Sequence, residues 1–188
     1  MLINNDTIIK DENPLIREIS EPVSLPLSDE DKQLLQEMFQ YVKDSTDEEK
    51  AAKYNLRPAV GISAIQVGVK KQLTAVIVDD YDKNGNPEHF EFMLANPRIV
   101  SRSMQSAYLS GGEGCLSVVD DHMGHVVRSA RVTVKAFDLI QNKDITIRAR
   151  GYLAIVLQHE IDHFSGTLFY DHIDKKNPNK EIPGALVI

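Results

Sequence analysis

The sequence predicts an α+β fold, and three observations predict it. Two amphipathic helical segments lie before residue 55. Two pairs of β-branched stretches follow, each pair joined by a turn. One strongly apolar helix comes late, over 152–164. The expected architecture is a set of antiparallel and mixed sheets wrapped around that buried helix, in a single domain spanning residues 1–188.

The opening stretch is broken into short extended pieces by Asn13-Pro14, Pro22 and Pro26. Ser28 is a good N-cap for an acidic first turn, and Leu34, Leu35, Met38, Phe39, Tyr41 and Val42 form the apolar face of the helix that follows. Thr46-Asp-Glu-Glu49 reads as a capping box that opens a second short helix through Ala51, Ala52 and Tyr54. Residues 57–66 are rich in small side chains, and on composition alone they form a loop packed on the core with Gln66 capping backbone groups. Leu73–Val78 and Phe90–Ala95 read as a hairpin around the turn at Asp82–Pro87, after which Asn96-Pro97 turns into Arg98-Ile-Val100. Three glycines in Gly111-Gly-Glu-Gly114 suit an unusual backbone path. A long strand over 124–137 pairs with 144–150, and 182–188 is a short extended end.

Composition narrows the function. The chain has 188 residues, 42% hydrophobic and 26% charged, with a formal net charge of −7, ordinary values for a globular enzyme. That acidity argues against a general nucleic-acid or anionic-membrane binder. No apolar run approaches a membrane span, and the polar start Met1-Leu-Ile-Asn-Asn-Asp-Thr7 predicts no signal peptide. A single cysteine forms no internal disulfide and fits a reducing, cytoplasmic setting.

The late helix carries Gln158-His159-Glu160-Ile161-Asp162-His163. Residues four apart share a helix face, so His159 and His163 can offer two imidazoles to one metal ion. Glu160, one step round, can take a proton from a water on that metal, the H-E-x-x-H arrangement of metal-dependent hydrolases. Two histidines at this spacing are often only a solvated helix face. Here Leu153, Ile155, Val156, Leu157, Ile161 and Phe164 make the helix too apolar for that, and buried histidines need a partner. Catalytic centres hold three protein ligands as a rule. The metzincin pattern would place its third histidine where Phe169 stands, so the third ligand must come from elsewhere in the chain.

Gly61-Ile-Ser-Ala-Ile-Gln66, Glu113-Gly-Cys-Leu-Ser117 and Gln158-His-Glu-Ile-Asp-His163 stand in an order that resembles the three motifs of the peptide deformylases. The second and third match at every fixed position. In the first, Ala59 replaces a glycine and Ile65 a common proline or threonine. The resemblance covers nearly the whole chain and is similar to the type 2 bacterial branch in its helical insertion before the first motif.

The resemblance implies Cys115 as third ligand beside His159 and His163, and one divalent metal, Fe²⁺ in the cell, with Zn²⁺, Ni²⁺ or Co²⁺ able to occupy the site. It implies a single catalytic domain that removes the formyl group from formyl-methionine on newly made proteins. Glu160 would be general base and then general acid, while Gln66 and the Leu116 N–H would donate to the formyl oxygen. Substrate backbone would pair near Val60-Gly61 and near Gly114, and Ile62, Leu109 and His159 are candidates for a methionine pocket. Glu113 and Asp162 are expected as supporting carboxylates. The partners are nascent formylated chains, with a transient ribosome contact, no direct nucleic-acid binding and no membrane. Two rivals stand beside this: a zinc peptidase cleaving internal bonds, and a deformylase-like binding module without turnover.

Overall fold

In a computed structural model of the protein, residues 3–188 are described; the first two positions of the polar N-terminal start lie outside them. Helix α1 (Asp29–Ser45) begins where the Ser28 side chain accepts from the Asp31 N–H. Helix α2 (Glu48–Tyr54) is capped by Asp47, which accepts from the Lys50 N–H. Thr46, expected to cap α2, instead donates its hydroxyl to Lys43 O and closes α1. A carboxylate one residue nearer the helix reaches the orphan N–H and also complements the helix dipole.

The large sheet has five antiparallel strands, β1 (Gly61–Ser63), β2 (Leu73–Tyr81), β3 (Pro87–Arg102), β6 (Arg131–Asp138) and β7 (Lys143–Arg150), side by side in that order. Asn96-Pro97 does not turn the chain. Strand β3 runs through it with a bulge between Ala95 and Arg98, Asn96 taking a left-handed φ of 52°. The Asn96 amide explains this, since it exchanges two 2.8 Å hydrogen bonds with the Val23 backbone and pins the N-terminal segment to the sheet.

Strand β4 (Ser106–Tyr108), β5 (Arg128–Ser129) and the C-terminal β8 (Leu186–Val187) form a second, small mixed sheet. The long strand expected over 124–137 is therefore two strands in two sheets. It breaks at buried Ala130, whose N–H goes to Gln105 O, and continues as β6 (Arg131–Asp138), paired with β7 (Lys143–Arg150). Residues 124–127 join neither sheet.

Helix α3 (Gly151–Asp162) packs on one face of the large sheet, where Leu153, Ala154, Val156 and Leu157 meet Val76, Val78, Leu94, Val132 and Val134. Its first turn borrows a cap from β2, Asp80 Oδ2 accepting from the Leu153 N–H at 3.0 Å. A 3-10 turn at His163–Ser165 ends at Gly166, with φ of 69°. A Cβ there would lie 2.1 Å from Arg17 O, so only glycine lets the N-terminal segment cross this point. Helix α1 covers the opposite face over β1 and β2 through Leu35, Met38 and Val42. The two layers bury apolar clusters of similar size on either side of the sheet.

Candidate metal centre

Each element contributes its side chains for a local reason. β1 is an edge strand, and a 3-10 turn at Ala64–Val67 follows it. Within that turn Gln66 Oε1 accepts from the Ser63 N–H at 2.9 Å. This is the backbone cap expected of Gln66 on composition, and it decides where the other half of the amide points. Nε2 is left facing Cys115 Sγ at 3.4 Å and Ser117 Oγ at 3.2 Å.

The structure brings Cys115, His159 and His163 together, one candidate ligand atom from each lying within 4.8 Å of the others. Cys115 Sγ is 3.4 Å from His163 Nε2. A tetrahedral ion with M–S of about 2.3 Å and M–N of about 2.0–2.1 Å needs an S···N edge of about 3.5 Å, so the spacing fits a metal. His159 Nδ1 lies 2.8 Å from Glu113 Oε2. A proton on Nδ1 is then held by the carboxylate, and Nε2 is left as the ligand atom. The Phe169 ring, at the position of the absent metzincin histidine, stacks on His159 instead, with planes 16° apart.

Electrostatics agree with a cation at this point. Burial pushes the Cys115 thiol up, but the charge of His163 and hydrogen bonds from His159 and His163 outweigh it and lower the thiol to about 6. Burial pulls His159 down, while hydrogen bonds to Cys115 and Glu113 carry it well above the usual imidazole range. Thiolate and imidazolium thus hold each other's charge, a job that a divalent ion does for thiolate and neutral imidazoles.

Behind the ligands runs a buried charged chain. Arg128 grips Glu113 with two hydrogen bonds, Nε to Oε1 and Nη2 to Oε2, and reaches Asp162 Oδ2 with Nη1 at 2.9 Å. His172 meets the same Asp162 oxygen at 2.7 Å. Burial raises both carboxyls, but Arg128 and His159 hold Glu113 below its ordinary value, and His172 with Arg128 do so for Asp162. Glu113 and Asp162 therefore stand as supporting carboxylates in the geometry. The supporting role of Arg128 was missed in the sequence, although Arg128 stands in the Val126-Val-Arg-Ser-Ala-Arg-Val-Thr-Val134 stretch that resembles the family.

Glu160 is buried, at 4% exposure, and its Oε2 accepts from Ser63 Oγ at 2.7 Å. On the other side, a Cβ on Gly61 would sit 2.5 Å from Glu160 Oε1. Ser63 and Gly61 thus set the carboxylate between a hydrogen bond and a closely packed bare backbone.

Gln66, Glu113, Cys115, His159 and Glu160 line a cavity of about 340 Å³ whose wall also includes Val60, Gly61, Gly114 and Leu116. Leu109 and His159 belong to its wall, but Ile62 does not. Strand alternation turns Ile62 into the core under α1, fully buried with Leu35 and Met38. Its place in the apolar wall is taken by Tyr152, Ile155 and Val156. They precede His159 by seven, four and three residues on α3, so the helical period that paired the histidines points to them too.

A buried S/N/N trio, its imidazoles from α3 and the turn that ends it and its thiol from the loop after Gly114, with a carboxylate beside it and a cleft in front, defines a metal-dependent hydrolase. The chain belongs to the polypeptide deformylase family, whose pattern it matches over residues 5–179. It is 46% identical to peptide deformylase 2 of Bacillus subtilis (strain 168), over 100% of this chain and 99% of that one. Peptide deformylase 2 of Geobacillus stearothermophilus is 47% identical over the same shares. Among solved structures, the Met-Ala-Ser-bound class I type b peptide deformylase of Acinetobacter baumannii superposes with a TM-score of 0.69 at 28% identity, over 92% of this chain and 100% of that one.

Proposed function

We propose that this enzyme, acting as one catalytic domain over residues 1–188, removes the formyl group from N-terminal formyl-methionine of newly made polypeptides, and that Cys115, His159 and His163 hold the metal. The observation that carries the reading is the cluster of Cys115, His159 and His163 beside a cleft whose wall includes Cys115, His159, Glu160 and Gln66. Cys115, His159 and His163 would hold a divalent cation, which would supply Lewis acidity to activate water and the formyl carbonyl.

The chain's own groups do the rest. Glu160 accepts the proton of the attacking water through the carboxylate that Ser63 orients, and hands it to the leaving amine as the formyl C–N bond breaks and formate departs. Charge growing on the formyl oxygen is met by Gln66 Nε2, already aimed at the centre by its bond to Ser63, and by the Leu116 N–H. The substrate backbone lies along the open edge of β1 at Val60-Gly61 and against Gly114. Its methionine seats against Val60, Leu109, Tyr152, Ile155, Val156 and the His159 ring.

We assign Fe²⁺ as the cellular metal, although the ligand set suits Zn²⁺ at least as well and admits Ni²⁺ or Co²⁺. The unpaired thiol fits the cytoplasm, and no helix among the described residues is long and apolar enough to cross a membrane. A transient ribosome contact follows from the substrate, which is a chain still being made. Formate assayed from a short formyl-methionyl peptide, beside internal cleavage of the same peptide unformylated, tests the reaction. Formate with no internal cleavage is expected; the reverse result makes the enzyme a peptidase.

A further inference from the structure

The large sheet has a second face, which α1 and the N-terminal segment cover over β1, β2 and the middle of β3; over β6 and β7 it carries exposed side chains. There Arg98 of β3, Arg131 and Lys135 of β6, and Arg148 and Arg150 of β7 are all exposed. The register makes them one patch. Arg98 lies directly across from Lys135, Arg131 directly across from Arg150, and Arg148 across from Thr133 between those two rows. Strands are about 4.8 Å apart and same-face residues about 6.7 Å apart along a strand, so the five cations lie within about 17 Å. Among the described residues Arg98, Arg131, Lys135 and Arg148 form no ion pair, while Arg150 has Glu88 at 3.6 Å. The carboxylates on this face sit at its margins: Asp144 across from Phe137, and Asp79 and Glu91 toward the β2–β3 hairpin.

Like charges directly opposite each other destabilise a sheet, and this chain carries two such pairs although its net charge is −7. The cation-rich surface on an acidic molecule is complementary to a regular array of phosphates, which bind flat basic surfaces through charge and need no base reading. We propose that this face of β3, β6 and β7 docks on the phosphate backbone of structured RNA at the surface of the ribosome. The naming of the ribosome rests on the deformylase reading, which places the substrate there; the RNA-binding chemistry rests on the patch alone. The expectation of no nucleic-acid contact came from net charge, which sums over the whole molecule, including five acids on α1.

The test is co-sedimentation of the metallated enzyme with purified vacant bacterial ribosomes across a salt series, with anionic phosphatidylglycerol vesicles as a parallel probe. Five phosphate contacts give a log–log salt slope of about −3.5 to −4.5, so a fourfold rise in salt weakens binding on the order of 10²-fold. The triple variant Arg98→Gln, Lys135→Gln, Arg148→Gln is expected to lose at least about tenfold in affinity and to flatten the slope. Its turnover of a short formyl-methionyl peptide should be unchanged, which separates this proposal from the catalytic one and shows that the variant folds. A control that removes three cations from the helices, Lys32→Gln, Lys43→Gln, Lys53→Gln, should bind ribosomes as the wild type does. Equal binding by the triple variant, no binding at low salt, or capture by the vesicles in preference to ribosomes would overturn the proposal.

Discussion

Strands β6 and β7 show two surfaces to two different worlds. Val132, Val134, Ile147 and Ala149 face α3 and the metal centre; Arg131, Lys135 and Arg148 alternate with them and face outward. On the inner side the buried Arg128 is paired with both Glu113 and Asp162. On the outer side the cations have none among the described residues. The difference is one of solvent. Inside, an unpaired charge costs several kcal/mol and must be matched within the fold. Outside, water screens the charge, so a mismatch can persist until another molecule matches it.

Breaking the inner side should give the largest effect. Arg128→Met leaves Glu113 and Asp162 buried without their cation, an expected loss of about 3–5 kcal/mol in denaturant unfolding. It should also weaken metal binding about 10–100-fold, because Glu113 no longer holds His159 in place. A stability unchanged in that variant would mean that the buried chain is not under electrostatic control.

Gln66→Ala acts on the same side but on chemistry. It should lower kcat about 10²–10³-fold with the metal content unchanged, measured by formate release at saturating peptide. If KM alone rose, Gln66 would belong to substrate seating.

The outer side should respond weakly and in the opposite direction. Lys135→Glu turns the Arg98 contact from repulsive to attractive and should stabilise the protein by about 0.2–1 kcal/mol, while costing ribosome affinity. Destabilisation would show that the patch is not strained.

Asp171 lies between the extremes, half-exposed and paired with Arg17. Burial raises its carboxyl, but the Arg17 hydrogen bond holds it below the ordinary range. A depressed folded pKa stabilises above the unfolded value and is lost as pH falls through the folded one. Asp171→Asn should therefore cost about 0.2–1 kcal/mol at neutral pH, with the gap from wild type closing below about pH 4.

How much of this was legible in the sequence follows from how local each feature is. The trio Cys115, His159 and His163 stood in short motifs, and the α3 period placed Glu160 beside them. The supporting role of Arg128 was not legible, because it depends on β5 leaving the line of β6 at Ala130, a tertiary choice between two sheets. Ile62 was misplaced because a three-residue edge strand gives too little alternation to say which face is core. The basic face was present as Arg131-Val-Thr-Val-Lys135, but its size appears only when the register sets Arg98 and Arg148 beside it.

The most direct test of the catalytic centre is to titrate metal into the metal-free wild type and Glu160→Ala under anaerobic conditions, reading bound metal and formate release together. The account predicts one equivalent bound in both proteins, with formate released in proportion to metal by the wild type and lowered about 10²–10⁴-fold in the variant. Equal turnover in Glu160→Ala, or formate released by wild type without metal, would contradict it.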